Sequence, residues 1–292
     1  MNIDANPVIL STRKHGVTNP TYPLINRYNY VIVKAVIENA DIYLDATIPQ
    51  LAFGKLPLKV YNGHAREITN NTAFPLFLIA DDLKETSITF INLSNNDKGG
   101  MKGYFTHTLG MYESLTLRHK MNTISTADLK KSLQDKFTED VEIDNIQIDS
   151  LSLLSEPVGV KYEMKTTAFT EEDIVYFNPM LSEAITKNPF SAVDRFYPVE
   201  MPYTIDDVYT LIMEIPKGYR IDELPKSERS NFNENEGMFE YIISADKSYI
   251  NFRCRLVLNK ATYTNEDYET LRDFYTYIVN KEAQQIVFKK IK

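Results

Sequence analysis

At 292 residues the chain is long enough for one large or two ordinary domains, each with its own core. A hydrophobic share of 43% and a charged share of 25% are those of a soluble globular protein, and no apolar run reaches the length of a bilayer span. The formal charge of −8 argues against a nucleic-acid partner, because displacing counterions from phosphates needs clustered cations.

Nineteen Tyr and fifteen Phe with no Trp form a β-rich palette, and the missing indole lowers the odds of a carbohydrate platform. One cysteine, Cys254, excludes an intramolecular disulfide and suits either a reducing cytosol or an exported protein that avoids thiols. The opening MNIDANPVILSTRK has no basic leader before an apolar core and does not form a secretory signal.

Residues 11–27 carry His15-Gly16, Asn19-Pro20 and Tyr22-Pro23, which predict a loop. In residues 29–57, Val31, Val33 and Ala35 alternate with Ile32, Lys34 and Val36 as one strand. Glu38 to Asp41 reverses the chain, and Ile42, Tyr43 and Leu44 form a second strand that delivers Asp45 to its end.

Tyr-Leu-Asp-Ala-Thr at residues 43–47, followed by Phe-Gly-Lys-Leu-Pro and Tyr-Asn-Gly, resembles the end of a transglutaminase-like core of the large bacterial kind. The segment IDANPVILSTRKHG resembles the stretch that precedes the histidine strand in that superfamily, which shares its fold with papain-like enzymes. The resemblance implies a helix-borne cysteine nucleophile, a histidine that activates it and an aspartate that orients the imidazole. Asp45 matches the aspartate. The histidine position is Tyr30, and a phenol with a reference pKa of about 10 is a poor general base at neutral pH. Cys254 lies downstream instead of upstream, in the alternating strand INFRCRLVL, where a buried structural thiol is the better reading. Tyr30 and Asp45 are thus vestigial triad positions, and the chain is expected to begin inside a domain. Full-length relatives implied by the resemblance are exported, so an extracytoplasmic address, periplasmic or secreted, is expected.

Beyond the hairpin, residues 74–80 and 87–93 predict strands with a reversal at Asp81-Asp82. Residues 95–100, NNDKGG, predict a hairpin turn, since no Lys-Ser or Lys-Thr pair follows to open a phosphate-binding helix. Residues 101–107 and 109–119 are read as the paired strands. Ser125 with Asp128 is a capping-box variant before Leu129, Leu133 and Phe137 at helical spacing. The acids Glu139, Asp140, Glu142 and Asp144 are read as solvated edges. Strands are predicted at 143–154, 158–167 and 174–177.

Asn188-Pro189-Phe190, Arg195-Phe196-Tyr197-Pro198-Val199, an Ile-Pro-Lys-Gly-Tyr turn at 215–219 and Leu224-Pro225 resemble, in order, the C-terminal β-rich domain of unknown function in the same bacterial proteins. Residues 237–243 and 248–258 predict an antiparallel pair. A final helix from near Thr264, capped by Asp267, carries Tyr268, Leu271, Tyr275 and Ile278 as a core stripe, and residues 285–292 form a short strand.

Four histidines, His15, His64, His107 and His119, show no metal-ligand spacing, so no metal and no cofactor is expected. Arg195, among apolar residues and prolines, is expected in a buried ion pair that pins its loop. The fold expected is α+β and mostly β, with partial transglutaminase-like strands in residues 1–95 followed by an antiparallel β-sandwich with two helices in residues 96–292. The function expected is a non-catalytic structural or binding portion, whose partners are upstream domains of the same parent or a protein or peptide ligand. Two alternatives stand: a hydrolase using a carboxylate site between the two parts, favoured if two acids share a concave site with one desolvated, or an adhesive extracellular β-module marked by an exposed apolar patch.

Overall fold

The computed structural model describes residues 3–97, 99–138, 140–170 and 172–292. Lys98 of the glycine-rich turn and Glu139 of the acidic cluster lie outside the described residues. The chain divides into two compact units, one of Met1–Lys84, Ser152–Glu156 and Met201–Thr204, the other of Glu85–Leu151, Pro157–Glu200 and Ile205–Lys292.

The first unit is built on β1 (Asp4–Leu10), β2 (Tyr30–Ile37), β3 (Ala40–Leu44), β4 (Gly63–Ile68) and β5 (Ala73–Leu78), in the antiparallel order β3-β2-β1-β4-β5. The reversal between β2 and β3 is tight. Ile37 pairs with Ala40, and Glu38 and Asn39 both take positive φ, 52° and 65°, as a two-residue primed turn requires. Val8, Leu10, Ile32, Leu56, Val60, Ala65 and Leu78 form the core, with Tyr30 and Tyr43 packed at its edge. Lys34 ties the sheet together through Asp41 and Glu67, both at 2.9 Å.

The second unit begins with β6 (Lys84–Asn95) and β7 (Met101–Thr108), then α1 (Met111–Met121), α2 (Thr126–Gln134), β8 (Val141–Asp149), β9 (Gly159–Thr166) and β10 (Ile174–Phe177). It continues through β11 (Val199–Glu200), β12 (Thr204–Glu214), β13 (Tyr219–Glu223), β14 (Glu228–Phe232), the single turn α3 (Asn233–Glu236), β15 (Gly237–Ala245), β16 (Tyr249–Leu258) and β17 (Thr262–Tyr263). The helix α4 (Tyr268–Glu282) and β18 (Ile286–Lys290) complete it. Eight strands form one sheet in the order β14-β15-β16-β12-β6-β7-β9-β8, and β10-β18-β13 form a smaller one. Phe169 supports the smaller sheet, its ring edge-on to Tyr219 and Phe288 at 5.8 and 5.2 Å.

The protein is therefore α+β and mostly β, as its composition and alternation predict, with four helices among the described residues instead of the two expected. The stretch read as a strand at 109–119 is α1. Leu115 and Leu117 alternate like a strand, but the face this helix buries carries Tyr112, Ser114 and Arg118. Two polar residues on the inner face erase the apolar period that would have announced a helix. Both are satisfied: Ser114 Oγ accepts the Val158 N–H at 2.8 Å, and the Arg118 guanidinium donates to the Ser150 and Leu151 carbonyls at 3.1 Å each. Between the two strands predicted on either side of Asp81-Asp82 the chain passes from one sheet to another, since β5 and β6 belong to different sheets. In α4, by contrast, Tyr268, Leu271, Tyr275 and Ile278 are all buried as the stripe predicts.

Two glycines mark where the backbone of the eight-stranded sheet is crowded. Gly100, at φ +71°, closes the β6–β7 turn with a Cβ position 2.2 Å from the Thr166 carbonyl oxygen. Gly103, on β7, has a Cβ position 1.7 Å from the carbonyl oxygen of Asn92 on β6. Gly103→Ala drives a methyl group into backbone that cannot yield without parting the two strands. The expected loss is about 3 kcal/mol of folding stability, measured by urea denaturation, against no more than about 0.5 kcal/mol for an alanine at the exposed Lys102.

Candidate functional site

Two places in the molecule concentrate chemistry, one in each unit. In the first unit, β3 brings Asp45 to the start of the following turn, where Oδ1 accepts the Thr47 N–H at 2.8 Å. Oδ2 accepts the Tyr30 hydroxyl at 2.7 Å, and that hydroxyl also meets Thr47 Oγ1 at 2.8 Å. Lys59 Nζ lies over the Tyr30 ring, 4.1 Å from its centroid. Tyr30 and Asp45, singled out separately in the sequence, are thus direct partners. No histidine shares the carboxylate: His64 sits on β4 with Nδ1 against Thr18 Oγ1 at 2.9 Å, His15 and His119 are exposed, and His107 belongs to the second unit.

Cys254 is also in the second unit, on β16, 3% exposed. Its thiol donates to Glu282 Oε1 at 3.6 Å. Burial and the neighbouring carboxyl both push the thiol well above its ordinary range, the opposite of the depression that a paired imidazole gives a nucleophile. Cys254 is buried, as its place in an alternating strand predicts.

The second place is a cavity of about 200 Å³ against β12 and β16, lined by Glu113, Glu183, Asp207 and Glu282 together with His107 and Cys254. Glu282, at the C-terminal end of α4, is 3% exposed and accepts the Ile185 N–H at 2.6 Å. Desolvation raises its carboxyl to about 7, with a further push from Asp207, against the opposing hydrogen bonds. Desolvation likewise raises Asp207 to about 6, aided by Glu113 and Asp206 and opposed by the Ser87 hydroxyl, which donates to Oδ1 at 2.9 Å. His107, on β7, is held below its usual range chiefly by burial. A second cavity of about 450 Å³, walled by Phe105, Leu117, Leu129, Leu133, Val160 and Tyr162, shares Glu113, Glu183 and His107 with the first.

None of these acids was singled out in the sequence, yet two left a trace there. Asp207 occupies the same face of β12 as the buried Tyr209, Leu211 and Met213, and Glu282 follows Leu271, Tyr275 and Ile278 one turn on along the stripe of α4. An acid in phase with core residues is the mark of a desolvated carboxyl.

Arg195 departs from expectation. It is exposed, its Nε donates to the Tyr197 carbonyl at 3.1 Å, and its guanidinium lies 5.9 Å from the Tyr268 ring centroid. Because water reaches the loop, the cation needs no buried carboxylate. Among the described residues no group of three or more His, Cys, Asp or Glu is placed to hold a metal ion, and no helix is long and apolar enough to cross a membrane.

Residues 173–288 match the family DUF3858, a domain of unknown function with a solved structure, in the region where a β-rich domain of unknown function was expected. A crystal structure of a "putative protease" from Parabacteroides distasonis ATCC 8503, at 2.00 Å, aligns with 98% of this chain at 12% identity and a TM-score of 0.45. This chain spans 40% of that one's length. No curated protein matches it.

The raised carboxyls carry a pH signature. Unfolded, Asp207 and Glu282 return to their ordinary values of 3.8 and 4.5; folded, they hold their protons to about 6 and 7. Between those limits the native state binds more protons, so their contribution is full below the unfolded values and is lost as pH rises through 6 and 7. Glu282→Gln removes the titration in a similar shape. Relative to the variant, the wild type is expected to lose up to about 3 kcal/mol between pH 4 and pH 8, read from urea midpoints at each pH.

Proposed function

We propose that this chain is a non-catalytic structural or binding portion of a transglutaminase-like protein, with residues 1–95 as the strand half of that core and residues 96–292 as the β-rich domain that follows it. The observation that carries this reading is the 2.7 Å hydrogen bond from the Tyr30 hydroxyl to Asp45. The carboxylate that would orient an imidazole is engaged by a phenol, which forms no ion pair with a thiolate. The thiol of Cys254, for its part, faces an acid.

A partner role is supported by β2, whose Val31 and Val33 are 58% and 40% exposed. The occupants we propose are other domains of the same parent or a protein or peptide ligand, in an extracytoplasmic setting. A second reading, a carboxylate-based hydrolase, is favoured by the pairing of Asp207 and Glu282 in one cavity, within the second unit instead of between the parts.

The readings separate in one assay series. The wild type is expected to give no amine incorporation into glutaminyl peptides and no hydrolysis of peptides, esters or glycosides above a protein-free blank. Turnover lost in Cys254→Ala would overturn the first reading. Turnover kept there but lost in both Asp207→Asn and Glu282→Gln would establish the second. Tyr30→Phe is expected to cost about 1 to 2 kcal/mol in urea unfolding, with the assays unchanged.

A further inference from the structure

We infer that residues 11–29, the strap between β1 and β2, form an acid-released latch over β4, with His64 as the group that senses the proton. The side chains that hold the strap stand at alternate positions of the chain and so on one face of the strand. Asn62 Nδ2 donates to the Gly16 carbonyl at 2.9 Å, His64 Nδ1 meets Thr18 Oγ1 at 2.9 Å, and Arg66 Nη2 donates to the Pro20 carbonyl at 3.0 Å. Residues 62, 64 and 66 thus match residues 16, 18 and 20 rung by rung, and His64 is the middle rung. Among these side chains only the imidazole changes charge between neutral pH and mild acid.

The bonds fix where each hydrogen sits. Thr18 Oγ1 also donates to the His64 carbonyl at 3.0 Å, so its hydrogen is used there and Nδ1 carries the hydrogen of the ring contact. Nε2 is then a bare lone pair, buried and without a hydrogen-bond partner, on a residue only 5% exposed. The groups that face the ring offer a new charge nothing. Phe77 of β5 lies 5.8 Å away and Tyr28 of the strap 6.3 Å, centroid to centroid, and the Tyr28 hydroxyl is itself buried and unbonded. Thr18 is engaged at the other nitrogen, and among the described residues the charged group that acts on the ring is the cation Arg66, along the same strand. Burial first and Arg66 second hold the imidazole below its usual range. A second ring proton therefore belongs to a state in which water reaches Nε2, and the strap, which supplies Thr18 and Tyr28, is what must lift. The segment that lifts carries Val17, Tyr22 and Ile25, which are 71%, 72% and 79% exposed. Neither the Tyr30–Asp45 bond nor Cys254 takes part, so the latch stands whether or not the proposed function does.

With the strap lifted the ring titrates at its ordinary 6.5, and with the strap down it titrates lower. The closed state is therefore fully favoured above 6.5 and loses ground as pH falls below it. The experiment is amide hydrogen exchange of the whole chain at pH 7 and pH 5, with each rate corrected for the intrinsic effect of pH. Protection of residues 15–28 is expected to fall about tenfold from the higher pH to the lower, while that of β15 and β16 in the second unit does not fall. His64→Asn keeps an N–H donor at the Nδ1 position without a titratable ring. Its strap is expected to show the same protection at both pH values, with thermal melting confirming that the variant is folded. Unchanged strap protection at pH 5, a fall shared equally by β15 and β16, or the same fall in His64→Asn would each overturn the inference, and the first two are read on the wild type even if the variant does not fold.

Discussion

Removing a carboxyl group from water is the constraint around which the second unit is assembled. Glu282 ends α4 at a point where the helix meets β16 and the segment after β10, and both of these bind it. Cys254 gives its thiol proton to Oε1, Ile185 its N–H to the carboxyl, and Asn178 Nδ2 donates to the Glu282 carbonyl at 2.8 Å. A buried acid with these donors is tolerable only in this arrangement, so the position of α4 against the sheet and the protonation of its last residue are one property. The same bond gives the only cysteine a carboxyl neighbour and keeps it a thiol.

The first unit meets an acid at a strand end differently. Asp45 stays at the edge of the core and is served by a backbone N–H, a phenol and, through that phenol, a threonine hydroxyl. Geometrically this is a well-made site, with a short bond to a side chain from the neighbouring strand. Chemically its partner is a phenol and not an imidazole. Its shape is explained by what holds the hairpin together.

Polar groups in inward positions also account for the main departure in the fold. Arg118 and Ser114 spend their side chains on the carbonyls and amides of the stretch before β9, which leaves α1 with little apolar periodicity of its own. Glu85 helps position the helix by accepting the Tyr112 N–H at 3.0 Å. A helix fixed in this way is held by partners far along the chain, and no window of its own sequence contains them.

Local pattern was enough for what depends on neighbours in sequence. The β2–β3 hairpin and its turn, the strands from β5 to β10, the β15–β16 pair, and the stripe of α4 follow from alternation, turn residues and helical spacing, because each element must bury one face whatever lies opposite. Which groups meet was decided by the tertiary structure. Asp207, Glu282, Glu183 and His107 come from four separate segments, and an acid's cost and its pKa depend on how much water is excluded around it. The same holds for Tyr30 and Asp45: sequence placed one at the start and the other at the end of a hairpin, and only the pairing register brought hydroxyl to carboxylate.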